Sequence, residues 1–351
     1  MKRIVALLGV AAALGACAVV GPNAIKNGRM AYNEAIRATN NEQLLMVAVH
    51  DRYEESASLL AVASVTANVH TINSAGIEAG FGGGENYRGN LVPFSAEMVY
   101  EENPTISYVP VAGAKYTRQV MAPISIATLA QFAGTLQNPA GIYAAFISSV
   151  NGIANPDFAT KPADPRFARF VGLMSELTAL GCLHWVETRS GEFAIAIERC
   201  GAEHVEAVAA LLDVLGIPIP HATNAGLVLP VGLGLKRTKD TDIIITTRSI
   251  LDLMELLSAA IEIPQSDVES SIAKNYGPPG ELGSRLKVAY SKDRPQHASV
   301  AVPYRGGWFY IDERDQVTKR FFRVLTTLWT ITIAENTGTT HAPVLTVPVS
   351  R

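Results

Sequence analysis

Apolar residues recur at three- and four-residue intervals in several stretches of the chain, and this spacing predicts amphipathic helices. The first helix is predicted over residues 25–38. Thr39-Asn40-Asn41-Glu42 then matches a capping box, which predicts that a second helix starts there. Further helices are predicted over 115–121, 126–136, 142–150, 165–180, 202–215, 250–261 and 313–328.

Strand-like patterns, rich in β-branched and small residues, lie between these helices. The longest run covers 58–81, meets a glycine-rich tip at 80–84 and resumes over 91–111, which predicts an extended hairpin. Shorter strands are predicted over 183–189, 192–199, 243–246, 286–290, 298–304, 308–311 and 343–349. Mixed helices and antiparallel hairpins predict an α+β fold.

Composition sets limits on the class of protein. The 351 residues are 48% hydrophobic and 17% charged, which is typical of a packed globular chain. The formal net charge is −3 and no long Lys/Arg run occurs, so we expect no nucleic-acid partner. Beyond the first twenty residues, no stretch of 18 uncharged apolar residues predicts a transmembrane helix.

The N-terminus has the pattern of a secretory signal. Lys2 and Arg3 precede an apolar run over 4–13. Leu14-Gly15-Ala16-Cys17 resembles the lipobox of bacterial lipoproteins. The resemblance implies that Cys17 receives a diacylglyceryl thioether and becomes the mature N-terminus. Ala18 after the cysteine favours the outer membrane, so we expect a lipid-anchored protein on its periplasmic or surface face.

These features predict the domain organisation. Residues 1–16 form the signal peptide, and 17–24 a short lipidated tether that holds the body near the membrane. The Pro/Asp/Ala-rich stretch 155–165 predicts a boundary between two subdomains. The first, 25–160, contains helices and the long hairpin, and the second, 161–351, is a C-terminal α+β subdomain.

The chain also resembles a group of exported bacterial lipoproteins with no assigned activity. The matching stretches span nearly the whole chain beyond Cys17, and the resemblance implies an exported lipoprotein without adding chemistry. They are Tyr32-Asn33, Thr39-x-x-Glu42-Gln43-Leu44-Leu45, Pro104-Thr105-Ile106-Ser107-Tyr108, Tyr304-Arg305-Gly306-Gly307-Trp308-Phe309-Tyr310-Ile311-Asp312 and Pro343-Val344-Leu345-Thr346.

Two cysteines remain if Cys17 is acylated. Cys182 and Cys200 flank a predicted hairpin whose turn contains Ser190-Gly191. A turn centred near Gly191 places the two cysteines opposite each other, and an even number of cysteines in an exported chain favours a disulfide. The alternative is a pair of buried free thiols.

Motifs of catalysis and metal binding are absent from the sequence. It contains no Gly-x-Ser-x-Gly and no His-Glu-x-x-His, and its seven histidines are scattered. The acidic residues Asp312, Glu313 and Asp315 gather at a predicted helix start, where they favour the helix dipole. We therefore predict no cofactor and no metal, and the sequence favours a non-catalytic protein.

The densest aromatic cluster surrounds a glycine turn. Tyr304 and Arg305 precede it, and Trp308 and Tyr310 follow. Strand alternation puts Trp308 and Tyr310 on one face, which predicts an aromatic edge that binds a partner, with Arg305 adding a cation. The alternative is a sheet buried on both faces.

Three functional hypotheses remain. The preferred one is a membrane-anchored lipoprotein with a structural or assembly role in the cell envelope, which binds an envelope protein or further copies of itself. The second is an oligomeric ring or pore to which each subunit contributes the hairpin 58–111. The third is a ligand-binding or enzymatic lipoprotein whose site involves Arg248, Asp312 and Tyr304.

Overall fold

The computed structural model describes most of the chain and shows an α+β fold. The described residues are 20–66, 69–77, 94–102, 105–135, 139–158, 164–198, 200–201, 204–218, 226–237, 239–337 and 345–348. The predicted signal peptide, Cys17 and the glycine tip 80–84 lie outside them.

The first element is a single helix, α1 (Val20–Arg52). The sequence predicted a break at Thr39, and this prediction is wrong. The Thr39 hydroxyl does not cap a new helix but donates to the carbonyl of Ala35 at 2.8 Å, one turn back in the same helix. A threonine that bonds back in this way is compatible with a helix interior. The helix also includes Val20–Ala24, part of the predicted tether.

Contacts divide the chain into two compact units, each discontinuous in sequence. The first contains the described parts of Met1–Thr39, Leu60–Val111 and Thr339–Arg351, and the second those of Asn40–Leu59 and Ala112–Gly338. The division differs from the predicted boundary near residue 160, because strands before that point pair with strands far beyond it.

The first unit is built on the predicted long hairpin. Its base is a three-stranded sheet in the order β1-β4-β14, and further along the hairpin β2 and β3 pair with each other. Thr66 pairs with Thr105, and Val69 pairs with Glu102, so the register is the same on both sides of the intervening residues. The strands are β1 (Leu60–Thr66), β2 (Val69–Ile77), β3 (Phe94–Glu102), β4 (Thr105–Pro110) and β14 (Leu345–Pro348).

The second unit contains a six-stranded sheet in the order β6-β5-β10-β9-β8-β7. Its pairs are antiparallel except β9 with β10, which are parallel. Residues 147–150 were predicted as helix and form a strand instead, because they pair with β10. The strands are β5 (Ile147–Val150), β6 (Ile153–Ala154), β7 (Leu183–Glu187), β8 (Phe193–Ile197), β9 (Leu227–Leu233) and β10 (Ile243–Thr247).

A smaller antiparallel sheet, in the order β11-β13-β12, follows later in the chain. Its strands are β11 (Ala289–Ser291), β12 (Ala298–Tyr304) and β13 (Gly307–Asp312). The remaining helices of this unit are α2 (Ala114–Met121), α3 (Ile126–Gly134), α4 (Ala140–Phe146), α5 (Pro165–Ala179), α6 (Val205–Leu215), α7 (Ile250–Ala259), α8 (Gln265–Glu269) and α9 (Gln316–Thr337).

Local signals in the sequence fix several of these helix ends. Ser249 and Asp252 form a reciprocal capping box at the start of α7. Asp164 caps α5, with Pro165 at its first position, as predicted. Gly216 ends α6 in the left-handed conformation, with φ of 61°.

Candidate functional site

The four residues of the predicted aromatic site lie on the hairpin formed by β12 and β13. Arg305 and Gly306 form its two-residue turn, with φ of 48° and 79°. Positive φ at both turn residues matches the right-handed twist of a hairpin. Gly307 already belongs to β13, and a side chain there would overlap the Tyr290 ring, so this glycine is required by close packing.

Strand alternation divides the aromatic residues between two faces, as predicted. Phe309 and Ile311 are fully buried in the core, whereas Trp308 and Tyr310 are half-buried on the opposite face. The second face is thus less deeply buried than the first, although neither of its aromatic side chains is fully exposed.

We call the open face of this sheet the aromatic face. Its two large side chains, Trp308 and Tyr310, are surrounded by small residues on the neighbouring strands, and the Arg294 guanidinium lies 5.3 Å from the Trp308 ring centroid. A guanidinium over an indole is a favourable cation–π contact. The cross-strand neighbours are Ser291 and Pro303 beside Trp308, and Ala289 and Ala301 beside Tyr310.

Tyr304 and Arg305 do not join the aromatic face. The Tyr304 ring packs on Tyr53, just after the last turn of α1, with ring centroids 5.0 Å apart. The Arg305 guanidinium lies 5.5 Å from the Tyr53 ring centroid and 3.9 Å from the Glu55 carboxylate. The structure thus divides the predicted site in two. Trp308 and Tyr310 form the aromatic face, whereas Tyr304 and Arg305 contact the residues that follow α1.

Near Tyr53, some buried polar atoms form hydrogen bonds and others do not. Its hydroxyl donates to Asp267 at 2.6 Å, and burial, followed by this carboxylate, raises the pKa of Tyr53. The Tyr304 hydroxyl lies near Glu55 but makes no hydrogen bond of good geometry with a described residue, and neither does Nδ1 of His50. Burial is also the main cause that raises the pKa of Tyr304.

A second aromatic–cation cluster, which sequence reasoning missed, surrounds Tyr276. Arg52 and Lys274 lie 4.9 Å and 4.6 Å from its ring centroid, and Phe158 stacks against it. The Tyr276 hydroxyl donates to Asp51 at 3.0 Å, across 225 positions of sequence. No local pattern could have revealed this cluster, since its members come from three separate segments.

Arg248, predicted as a possible catalytic residue, is instead a structural side chain. It is only 1% exposed and pairs with Asp157. Its remaining donors reach backbone carbonyls at the end of α4, at the start of β5 and just after β6. A buried charge is tolerated when it is paired and hydrogen-bonded in this way. The carbonyls belong to Ala144 (2.9 Å), Ala145 (2.9 Å), Ile147 (3.2 Å) and Asn155 (2.7 Å).

The acidic residues near 312 support the start of α9. Asp315 caps this helix, since its carboxylate accepts from the backbone N–H of Thr318 at 2.9 Å. Asp312, which the sequence predicted as the cap, instead accepts from the N–H of Arg314 at 2.7 Å, in the preceding turn. In the part of the chain that the structure describes, no group of three or more His, Cys, Asp or Glu side chains could hold a metal ion.

The two remaining cysteines are neighbours but are not bonded. Both are free thiols, and the Cys182 side chain contacts Cys200. Burial, followed by this contact, raises the pKa of Cys200 to about 12. Leu183 pairs with Ile197, so the turn is centred at Ser190 rather than at Gly191. The disulfide therefore stays a prediction.

Comparisons with known protein families, characterised proteins and solved structures find no match for this chain. A search of the described helices finds none that is both long and apolar enough to cross a membrane.

Proposed function

We propose that this protein is a membrane-anchored lipoprotein with a structural or assembly role in the bacterial cell envelope, and that its copies associate through the hairpin β2–β3. The resemblance of residues 14–17 to a lipobox supports the anchor. The observation that carries the assembly role is the strand pairing. Within the described residues, β2 and β3 pair only with each other.

A two-stranded sheet needs further partners. Each of these strands has nine residues. Residues whose backbone N–H and C=O face the paired strand alternate with residues whose N–H and C=O face the free edge. An isolated two-stranded hairpin is marginally stable in water, and long unpaired edges attract other strands. Pairing with a second copy satisfies both requirements.

The geometry of such pairing favours a closed ring. In the arrangement that we propose, the free edge of β3 in one copy pairs with the free edge of β2 in the next. A head-to-tail contact of this kind continues until the rotation between copies closes a ring. Closure leaves no free edge, which is a further gain over an open chain of copies.

The three residues that the sequence suggested for an enzymatic or ligand-binding site have structural roles, and this supports the proposal. Arg248 donates to backbone carbonyls, and Tyr304 packs on Tyr53. Asp312 organises the turn before α9. Each of the three thus has a structural role, and the three do not form one polar site.

The test is the mass of the acylated protein in detergent, measured by light scattering. We expect a discrete oligomer of the native chain. A variant in which residues 67–104 are replaced by Asn-Gly keeps a two-residue turn between Thr66 and Thr105, and we expect it to be monomeric. The double variant Trp308→Ala/Tyr310→Ala leaves the hairpin intact and should stay oligomeric. A monomeric native protein would exclude this assembly.

The aromatic face supports a second candidate role, the binding of an envelope protein. Trp308 and Tyr310 remain half-buried beside small neighbours, and aromatic side chains are enriched where partners bind. Crosslinking in intact cells followed by affinity purification should recover a partner with the native chain. The double variant Trp308→Ala/Tyr310→Ala should lose that partner, and recovery of the same partner by both would contradict this role.

A further inference from the structure

We infer that a cavity in the second unit binds a single long acyl chain that ends in an anionic headgroup. The inference concerns residues far from the hairpin in sequence and does not depend on oligomer formation. The cavity has a volume of about 470 Å³. Sites for small molecules typically measure ~300–1,000 Å³, so this volume is large enough for a ligand.

The walls of the cavity are mainly apolar. Four segments and Asn155 form it, and the segments are α4, α5, the short 3-10 turn Gly283–Arg285 with its flanking residues, and the first turns of α9. Aromatic and aliphatic side chains from three of them face the space, and such walls favour a hydrocarbon ligand. They include Phe167, Val171, Leu282, Phe321 and Val324.

Two exposed glycines line the cavity. They are Gly141 in α4 and Gly172 in α5, and a Cβ added to either would meet nothing within 4 Å. Glycine weakens a helix relative to alanine, so neither position is explained by helix stability. We expect a large side chain at either position to fill part of the space that we assign to the acyl chain.

The arginines that line the cavity favour a ligand with an anionic headgroup. Arg285 is paired with Glu281 at 2.6 Å, and both line the cavity. Arg320 also lines it, has an exposed side chain and forms no ion pair with any residue that the structure describes. One solvent-accessible arginine is thus available beside an apolar space. A carboxylate or phosphate at the end of an acyl chain would pair with it, since arginine binds both groups through charge-assisted hydrogen bonds.

Photo-crosslinking tests the inference on the full-length protein in phosphatidylcholine nanodiscs. The probe is palmitate that carries a diazirine in its chain, and labelled peptides are identified by mass spectrometry. We expect labelling on the peptides that contain residues 167–172 and 316–324. Competition by unlabelled palmitate, by lysophosphatidate and by hexadecanol distinguishes a carboxylate source from a phospholipid source, and either anion should compete better than the alcohol.

Two variants separate the acyl chain from the headgroup. Gly172→Leu should abolish labelling of the cavity, whereas Gly134→Leu, at an equally open helical glycine that does not line it, should not. Arg320→Gln should weaken competition by palmitate about tenfold and leave that of hexadecanol unchanged. Arg323→Gln is the control, because Arg323 is exposed like Arg320 and lies on the same helix but does not line the cavity. The inference is overturned if Gly172→Leu is labelled like the native chain, or if hexadecanol competes as well as palmitate.

Discussion

The backbone N–H of Glu198 donates to the carbonyl of Cys182 across 3.0 Å. This bond extends the register of the hairpin by one pair and places Cys200 two residues beyond the partner of Cys182. Cys200 is thus a diagonal neighbour of Cys182, and the two thiols are in contact.

We expect Cys182 and Cys200 to form a disulfide in an oxidising compartment. The bridge would close the segment between them, and chain entropy then predicts roughly 3 kcal/mol of stabilisation. Because the pKa of Cys200 is raised to about 12, little thiolate is present at neutral pH, and oxidation without a catalyst should be slow. The measurement is thiol labelling under denaturing, non-reducing conditions. Two reactive thiols per mature chain from the native envelope would refute the bridge.

Acylation at Cys17 is the basis of the proposed membrane anchor. We expect Cys17→Ser to leave the precursor uncleaved and unacylated, because a hydroxyl is a much weaker nucleophile than a thiolate. Mass spectrometry of the N-terminus checks this. Cys200→Ser is the control, since it removes a thiol without affecting the signal. An unmodified residue 17 in the native mature protein would contradict the anchor.

Replacing Arg248 should destabilise the second unit. Arg248→Met removes the donors to four carbonyls and leaves them buried, which costs roughly 3 kcal/mol or more of unfolding free energy. Chemical denaturation followed by circular dichroism gives the value. Arg285→Met breaks an exposed pair and should leave stability unchanged within error. Equal stability of the two variants would show that Arg248 is not structural.

The close packing of Tyr290 on Gly307 leads us to predict that a side chain at position 307 destabilises the protein. Gly307→Ala places a methyl group inside the Tyr290 ring, so the ring has to move. Overpacking of this kind typically costs ~1–3 kcal/mol. The same substitution at Gly134, where a Cβ meets nothing within 4 Å, should be neutral or stabilising. Thermal melting of the two variants checks the difference, and a Gly307→Ala protein that melts like the native chain would contradict the packing.

Alkaline pH should destabilise the protein through its buried tyrosines. Burial raises the pKa of Tyr116 from 10.0 to about 12. The folded state then holds this proton more tightly than the unfolded state, so stability is fully present below pH 10 and is lost as the pH rises towards 12. Tyr116→Phe should flatten the decline in unfolding free energy over this window. An unchanged slope would show that Tyr116 does not contribute to it.

Sequence reasoning succeeded where a local interaction decides the structure. The caps at Asp164 and Ser249 and the helix stop at Gly216 depend only on near neighbours. It failed where a distant partner decides. Residues 147–150 became a strand because β10, about 100 positions later, pairs with them. Thr39 has the right neighbours for a cap, but its hydroxyl bonds back to Ala35 within one helix.

The same division applies to the site. Alternation along β13 correctly placed Trp308 and Tyr310 on one face, since that property follows from a single strand. The contacts of Tyr304 with Tyr53 could not be predicted, because they join segments that are about 250 positions apart in the sequence. Tyr276 has no motif of its own, and its role follows from partners brought together by the fold.

The register of the long hairpin beyond its base limits how its length can change during evolution. A bulge between Val62 and Ser64 shifts the register near the base. From Ser64 onward the pairs, including Thr66 with Thr105 and Val69 with Glu102, follow one register, so a further insertion in one strand alone would shift every pair beyond it. A one-residue shift moves each side chain to the opposite face of its strand. Homologues of different hairpin length should therefore differ by matched insertions or deletions in both strands, which would leave the pairing near the base unchanged.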